Sequence, residues 1–159
     1  MKRKLTAVFF LCMAPVLSAF TMAEWNRRLP ADDGWRVFRG DGQGAEKGGF
    51  DDSTWKSVST PHDWSIEGPF DEKAATRGDG GFLPSGVGWY RKTFKREALP
   101  DWQRVFVEFD GVMANSEVWI NGQSVGTRPN GYVSFRYDLT PHLRAGENVL
   151  AVRTDTSAQ

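Results

Sequence analysis

From Trp35 onward the chain repeats one pattern: a short run of β-branched and aromatic residues, then glycine, proline, asparagine or aspartate. No segment keeps apolar residues at helical spacing for ten or more positions. Such a chain has few ways to bury its apolar side chains. Short strands must pair, and the sheets must face each other, as an antiparallel sandwich or jelly roll. Arg104–Phe109 puts Val105, Val107 and Phe109 on one face of a strand. Glu117–Ile120 alternates polar and apolar and then meets Asn121-Gly122. Asn-Gly supplies the two positive φ angles of a type I′ turn, so a hairpin with Gln123–Gly126 is predicted. Gly88–Lys95, Tyr132–Tyr137 and Asn148–Arg153 read as further strands, with Trp35–Arg39 and Trp55–Val58 as shorter ones. The helical signal is local: Thr140 as N-cap, Pro141 at the first position and Gly146 as terminator of a single turn.

Residues 1–23 are set apart. Met1-Lys2-Arg3-Lys4 is a basic start, Leu5–Phe20 is an apolar run, and Thr21-Met22-Ala23 offers small residues for cleavage. This is the pattern of a secretory signal peptide, which predicts a periplasmic or secreted protein. The run is short for a span of about 20 residues and contains Pro15, which disfavours an anchor. After cleavage, residues 24–159 hold no membrane segment and no cysteine, since Cys12 lies in the leader. The whole chain balances 20 Lys and Arg against 20 Asp and Glu. Without Lys2, Arg3 and Lys4 it is 17 against 20, or −3. A mildly acidic domain is a poor partner for a nucleic acid backbone. A hydrophobic fraction of 40% excludes a disordered chain.

The Gly-rich loops 40–49 and 78–88 match no phosphate-binding motif. His62 and His142 lack metal-ligand spacing, and Asp32-Asp33 and Asp51-Asp52 lack an EF-hand pattern, so neither metal nor cofactor is expected. Asp52-Ser53 reads as a turn cap before Trp55. The charges Arg91, Lys92, Lys95 and Arg96 read as a solvated strand face. Trp89 and Trp119 lie in strands and read as core, between the sheets or against a neighbouring domain.

Three stretches are more specific. The first is Thr60-Pro61-His62-Asp63-Trp64-Ser65-Ile66-Glu67-Gly68-Pro69-Phe70. The second runs from Gly80-Gly81-Phe82 through Gly88-Trp89-Tyr90 to Phe94. The third runs from Val118-Trp119-Ile120-Asn121-Gly122 through Asn130-Gly131-Tyr132 and Tyr137-Asp138-Leu139-Thr140 to Val152. In this order they resemble the N-terminal sugar-binding domain of glycoside hydrolase family 2, in its bacterial β-galactosidase-like form. The resemblance covers Trp35 to Gln159.

The resemblance implies a galactose-binding-like jelly-roll sandwich that a further strand completes. It also implies a following immunoglobulin-like domain and a TIM barrel that carries the two catalytic Glu of a retaining mechanism. On that expectation the chain stops short of the catalytic machinery, holds no catalytic residue and does not hydrolyse glycosides by itself. Its role would be to help form the pocket for a β-galactoside or related carbohydrate. Asp63 corresponds to a polar residue that hydrogen-bonds sugar hydroxyls in β-galactosidases. Asn130 matches a loop position where some members place Asp, and it adds a donor while losing the charge. His62 and Trp64 flank Asp63 and are candidates for the same rim. The residues themselves also allow plainer roles: Asp63 can cap a turn after Pro61, Asn130-Gly131 can be only a turn, and Trp64 can be core. As a whole, the chain could equally be a carbohydrate-binding module without catalysis, or a structural remnant with an unpaired sheet edge.

Overall fold

The computed structural model describes residues 27–74, 76–78 and 80–157. The proposed leader lies outside them. Residues 31–159 cluster as one unit, and the account below concerns that unit.

Eight strands form in chain order: β1 (Trp35–Arg39), β2 (Lys56–Val58), β3 (Val87–Arg96), β4 (Phe106–Phe109), β5 (Ser116–Ile120), β6 (Gln123–Arg128), β7 (Phe135–Asp138) and β8 (Gly146–Asp155). Six pair in the order β2-β1-β3-β8-β5-β6, and β4 pairs with β7 in a second layer. Every pairing is antiparallel. The all-β sandwich read from the sequence is therefore what the chain forms. The predicted hairpin is present as well. Asn121 and Gly122 take φ of 52° and 84° and join β5 to β6.

The sheet's register explains the core. On the face toward β4 and β7, Trp35 on β1 is in register with Lys92, Leu150 and Ile120, and Val37 with Tyr90, Val152 and Val118. Trp35, Val118, Ile120, Leu150 and Val152 are buried there with Leu139, and Val107, Phe109 and Tyr137 of the small layer pack onto them. Period-two alternation thus places all the apolar positions of β5 and β8 correctly, and a one-residue slip would invert them. A bulge opposite Val118 and Trp119 inserts Val125 into β6, and Val125 joins this core.

The opposite face of the large sheet is also covered. Trp89 and Trp119 stack there at 5.3 Å with Ala151 beneath them, and segment 41–55 closes over them with Ala45, Phe50 and Trp55. The two tryptophans are core, but outside the sandwich rather than between its layers.

Arg91 fastens this covering. The sequence pattern assigns it to a solvated face; in the structure only 2% of it is exposed. Its Nε donates to Asp52 Oδ2 at 2.8 Å, and its terminal nitrogens donate to the carbonyls of Ala45, Lys47 and Phe50. The correction has a simple cause. A strand residue on a sheet's second face is solvated only if nothing folds over that face, and alternation cannot reveal a covering loop. Asp52 is likewise the counter-ion of Arg91 rather than a turn cap; Asp51 accepts the Ser53 N–H at 2.9 Å instead.

The single turn at Thr140–His142 is a 3-10 turn, and its capping differs from expectation. Asp138 Oδ1 accepts the Thr140 N–H at 2.9 Å, while Thr140 Oγ1 accepts the Val105 N–H at 2.8 Å and ties the turn to β4. Gly146 begins β8 rather than ending the turn.

Removing Arg91 takes the side-chain donor from three carbonyls and leaves Asp52 with only its longer contact to Arg36. Arg91→Ala is expected to cost about 3–5 kcal/mol in urea unfolding. Arg36→Ala removes a partly exposed contact to Asp52 at 3.5 Å and hydrogen bonds to the Ser53 and Trp55 carbonyls at 3.3 Å, and should cost less than Arg91→Ala, about 1–2 kcal/mol.

Candidate sugar-binding end of the sandwich

Residues 59–68 cross one end of β3. What holds them there is a glycine. A Cβ on Gly88 would lie 2.3 Å from Trp64 Nε1, so the indole rests on β3 only because that position has no side chain. Arg39 covers the ring at 5.3 Å, and Trp64 is buried. Trp64 therefore serves as the loop's anchor, and its remaining edge borders a shallow groove shared with Phe38, Trp55, Lys56 and Glu67.

His62 makes the second attachment. Its Nδ1 is 2.9 Å from Tyr90 Oη and its Nε2 is 2.9 Å from Glu67 Oε1. Glu67 also pairs with Lys56 of β2. Both imidazole nitrogens are thus engaged within the protein, which makes His62 a clamp on the loop. Burial pushes the Tyr90 phenol up to about 12, with the Asp63 and Glu67 carboxylates adding to the rise against a backbone hydrogen bond at Trp64. Tyr90 consequently stays protonated at neutral pH. The hydrogen bonds from Lys56 and His62 hold the Glu67 carboxyl below its ordinary value. Sequence reasoning passes over Glu67 and Tyr90. They become visible as partners only when β3 and the loop are brought together.

Asp63 sits between these anchors and is exposed. Its Oδ1 accepts both the Ser65 N–H at 2.8 Å and the Ser65 hydroxyl at 2.7 Å, which sets up the short 3-10 turn at Ser65–Glu67. The turn-forming role is therefore real. It also fixes the carboxylate, and Oδ2 makes no hydrogen bond within the described residues, so it is available as an acceptor.

Asn130 lies at the same end of the sheet. Trp89, Arg153, Glu117 and Thr127 form one cross-strand row; Trp64 rests one residue before Trp89, and Asn130 follows Thr127 by three. Three strand spacings, about 14 Å, separate β3 from β6. The structure thus gathers His62, Asp63 and Trp64 on one loop and puts Asn130 on the far side of the same edge. Asn130 Oδ1 accepts the Tyr132 N–H at 2.8 Å, leaving the side-chain amide as a donor. Its loop is held close: a Cβ on Gly131 would lie 2.5 Å from Met113 Sδ, and one on Gly111 2.6 Å from the Gly131 carbonyl. No group of three or more His, Cys, Asp or Glu side chains gathers to hold a metal ion among the described residues.

The Glu67 contacts carry a pH dependence. Its pKa is lowered in the folded state, so its contribution is complete above its ordinary value of 4.5 and is lost as pH falls through the lowered one. Melting temperatures measured between about pH 2 and 6 should fall on the acid side, and Glu67→Gln should flatten that limb.

Comparison with known proteins bears on the family and the fold. Residues 85–159 match the glycosyl hydrolase 2 galactose-binding domain-like family. A β-galactosidase of Bacteroides ovatus is 48% identical over 143 residues, which are 89% of this chain and 17% of that protein. A β-glucuronidase of Formosa agariphila is 34% identical over 123 residues, 76% of this chain and 12% of that protein. The crystal structure of a β-glycosidase from Bacteroides vulgatus superposes with a TM-score of 0.73 at 49% identity, covering 79% of this chain and 17% of that one. The chain thus spans less than a fifth of these relatives' length. The sandwich, the motif order and the matched family together give one conclusion: the chain belongs to glycoside hydrolase family 2 and carries its galactose-binding-like N-terminal domain.

Proposed function

We propose that this domain helps form the sugar pocket of an exported glycosidase that hydrolyses terminal β-galactosides or related β-glycosides, with Asp63 as its principal contact. The observation that carries this reading is the pinned carboxylate. Asp63 Oδ1 is committed to Ser65, while Oδ2 of this exposed residue has no hydrogen bond among the described residues, on a loop anchored by Trp64 on Gly88 and by His62 on Tyr90 and Glu67. A fixed acceptor loses little conformational freedom when a hydroxyl binds it, which is what a sugar subsite requires. His62 and Trp64 act behind it, and Asn130 offers a donor from the opposite side of the same edge. The activities of the relatives, β-galactosidase and β-glucuronidase, fit this substrate class. In this reading the two catalytic carboxyls belong to a barrel domain of the whole enzyme.

Titrating the chain with methyl β-galactoside should shift the backbone NMR signals of Asp63–Ser65 saturably. Asp63→Ala should weaken binding by roughly five- to tenfold, the value of one hydrogen bond. Unchanged affinity in that variant would refute the assignment. Export predicts that the protein recovered from the periplasm or medium begins at Glu24; an intact Met1 on the exported protein would count against the leader.

A further inference from the structure

Arg128 ends β6 with an unmatched charge. Its register with Ser116, alongside that of Gly126 with Val118, puts Arg128 on the face that looks toward the small β4–β7 layer. Tyr137 of β7 packs directly on Gly126, where a Cβ would lie 2.4 Å from the ring and 3.0 Å from its hydroxyl. The guanidinium therefore starts beside the Tyr137 hydroxyl, at the same end of the sandwich as Asn130. It is partly buried, and its Nε is withdrawn from solvent without a hydrogen-bond partner. Among the described residues no carboxylate pairs with it, in contrast to Arg36, Arg91, Arg104 and Arg153. The Tyr137 hydroxyl and the Asn130 side-chain amide likewise donate to nothing described. The guanidinium acts electrostatically on the Tyr137 phenol, and Asn130 follows Arg128 by two residues at the same end of the sheet.

Partial burial of an uncompensated cation is costly, and a guanidinium is shaped to receive a planar or tetrahedral oxyanion through paired N–H groups. A lone arginine on a domain of net charge −3 is not a polyanion-binding surface. We propose that Arg128, with Tyr137 and Asn130, is a receptor for the anionic substituent of an acidic glycan, a sugar carboxylate or sulfate ester. The site lies across the sandwich edge from Asp63. The proposal rests on the carbohydrate-binding reading above and adds an anion subsite to it.

The test titrates the chain with methyl galactoside, galacturonate and galactose 6-sulfate at fixed ionic strength, following the backbone signals of residues 126–132 and the Arg128 side-chain N–H. The acidic sugars are expected to bind about tenfold or more tightly than the neutral one, as one charge-assisted pair gives. Arg128→Gln should abolish that preference and leave neutral binding unchanged, and Arg128→Lys should retain only part of it. A preference for galacturonate alone or for the sulfate alone identifies which anion the site takes. Equal affinity for all three sugars, or a preference that survives Arg128→Gln, overturns the anion receptor and leaves the sugar-binding reading standing. Failure of every sugar to bind the folded chain overturns both. Should Arg128→Gln not fold, the Arg128→Lys affinities decide, an unchanged preference in that variant counting against paired recognition.

Discussion

The buried Arg91 guanidinium is the interaction on which the arrangement of this domain most depends. A sandwich needs only one buried face per sheet, yet here both faces of the large sheet are covered. The second covering is segment 41–55, which has no regular secondary structure of its own and leaves main-chain carbonyls pointing inward. Arg91 supplies donors to three of those carbonyls and a counter-ion to Asp52. Burying a charge is tolerable only when its donors find acceptors, and the loop provides four. Trp89 and Trp55 can then be buried, with Trp119 partly buried beside them, on a face that would otherwise be wet.

The candidate sugar contact inherits its geometry from the same sheet. Gly88 makes room on β3 for Trp64, and Tyr90, two residues on, receives His62. One strand thus fixes both sides of Asp63 while Arg91, the next residue, holds the opposite face. Asp63 needs no rigidity of its own; its neighbours are packed, and it projects between them. An exposed carboxylate on a loop braced by core residues follows the general pattern in which scaffolds position loops.

The division of labour in family 2 gives this arrangement its meaning. A domain spanning less than a fifth of its relatives' length does not need catalytic groups to matter for the reaction. In the function proposed above, polar groups held at one end of a stiff sandwich would contribute orientation to a pocket assembled from more than one domain.

The sequence by itself determined the class of fold and most of its elements. Alternation marked β5 and β8, Asn121-Gly122 marked the hairpin, and the ordered motifs from Thr60 to Val152 marked the family. These are local signals, set by side-chain periodicity and turn conformation, and they survive translation into three dimensions unchanged. The turn-forming role of Asp63 was legible for the same reason, through a contiguous motif. Tertiary structure alone decided the rest. It turned Arg91 from a surface charge into a buried fastener, placed Trp89 and Trp119 outside the sandwich, and gave His62 the partners Tyr90 and Glu67. It also left Arg128 without a counter-ion among the described residues. Each of these depends on which distant segment folds over a residue, and no period or spacing within a strand encodes what will cover it.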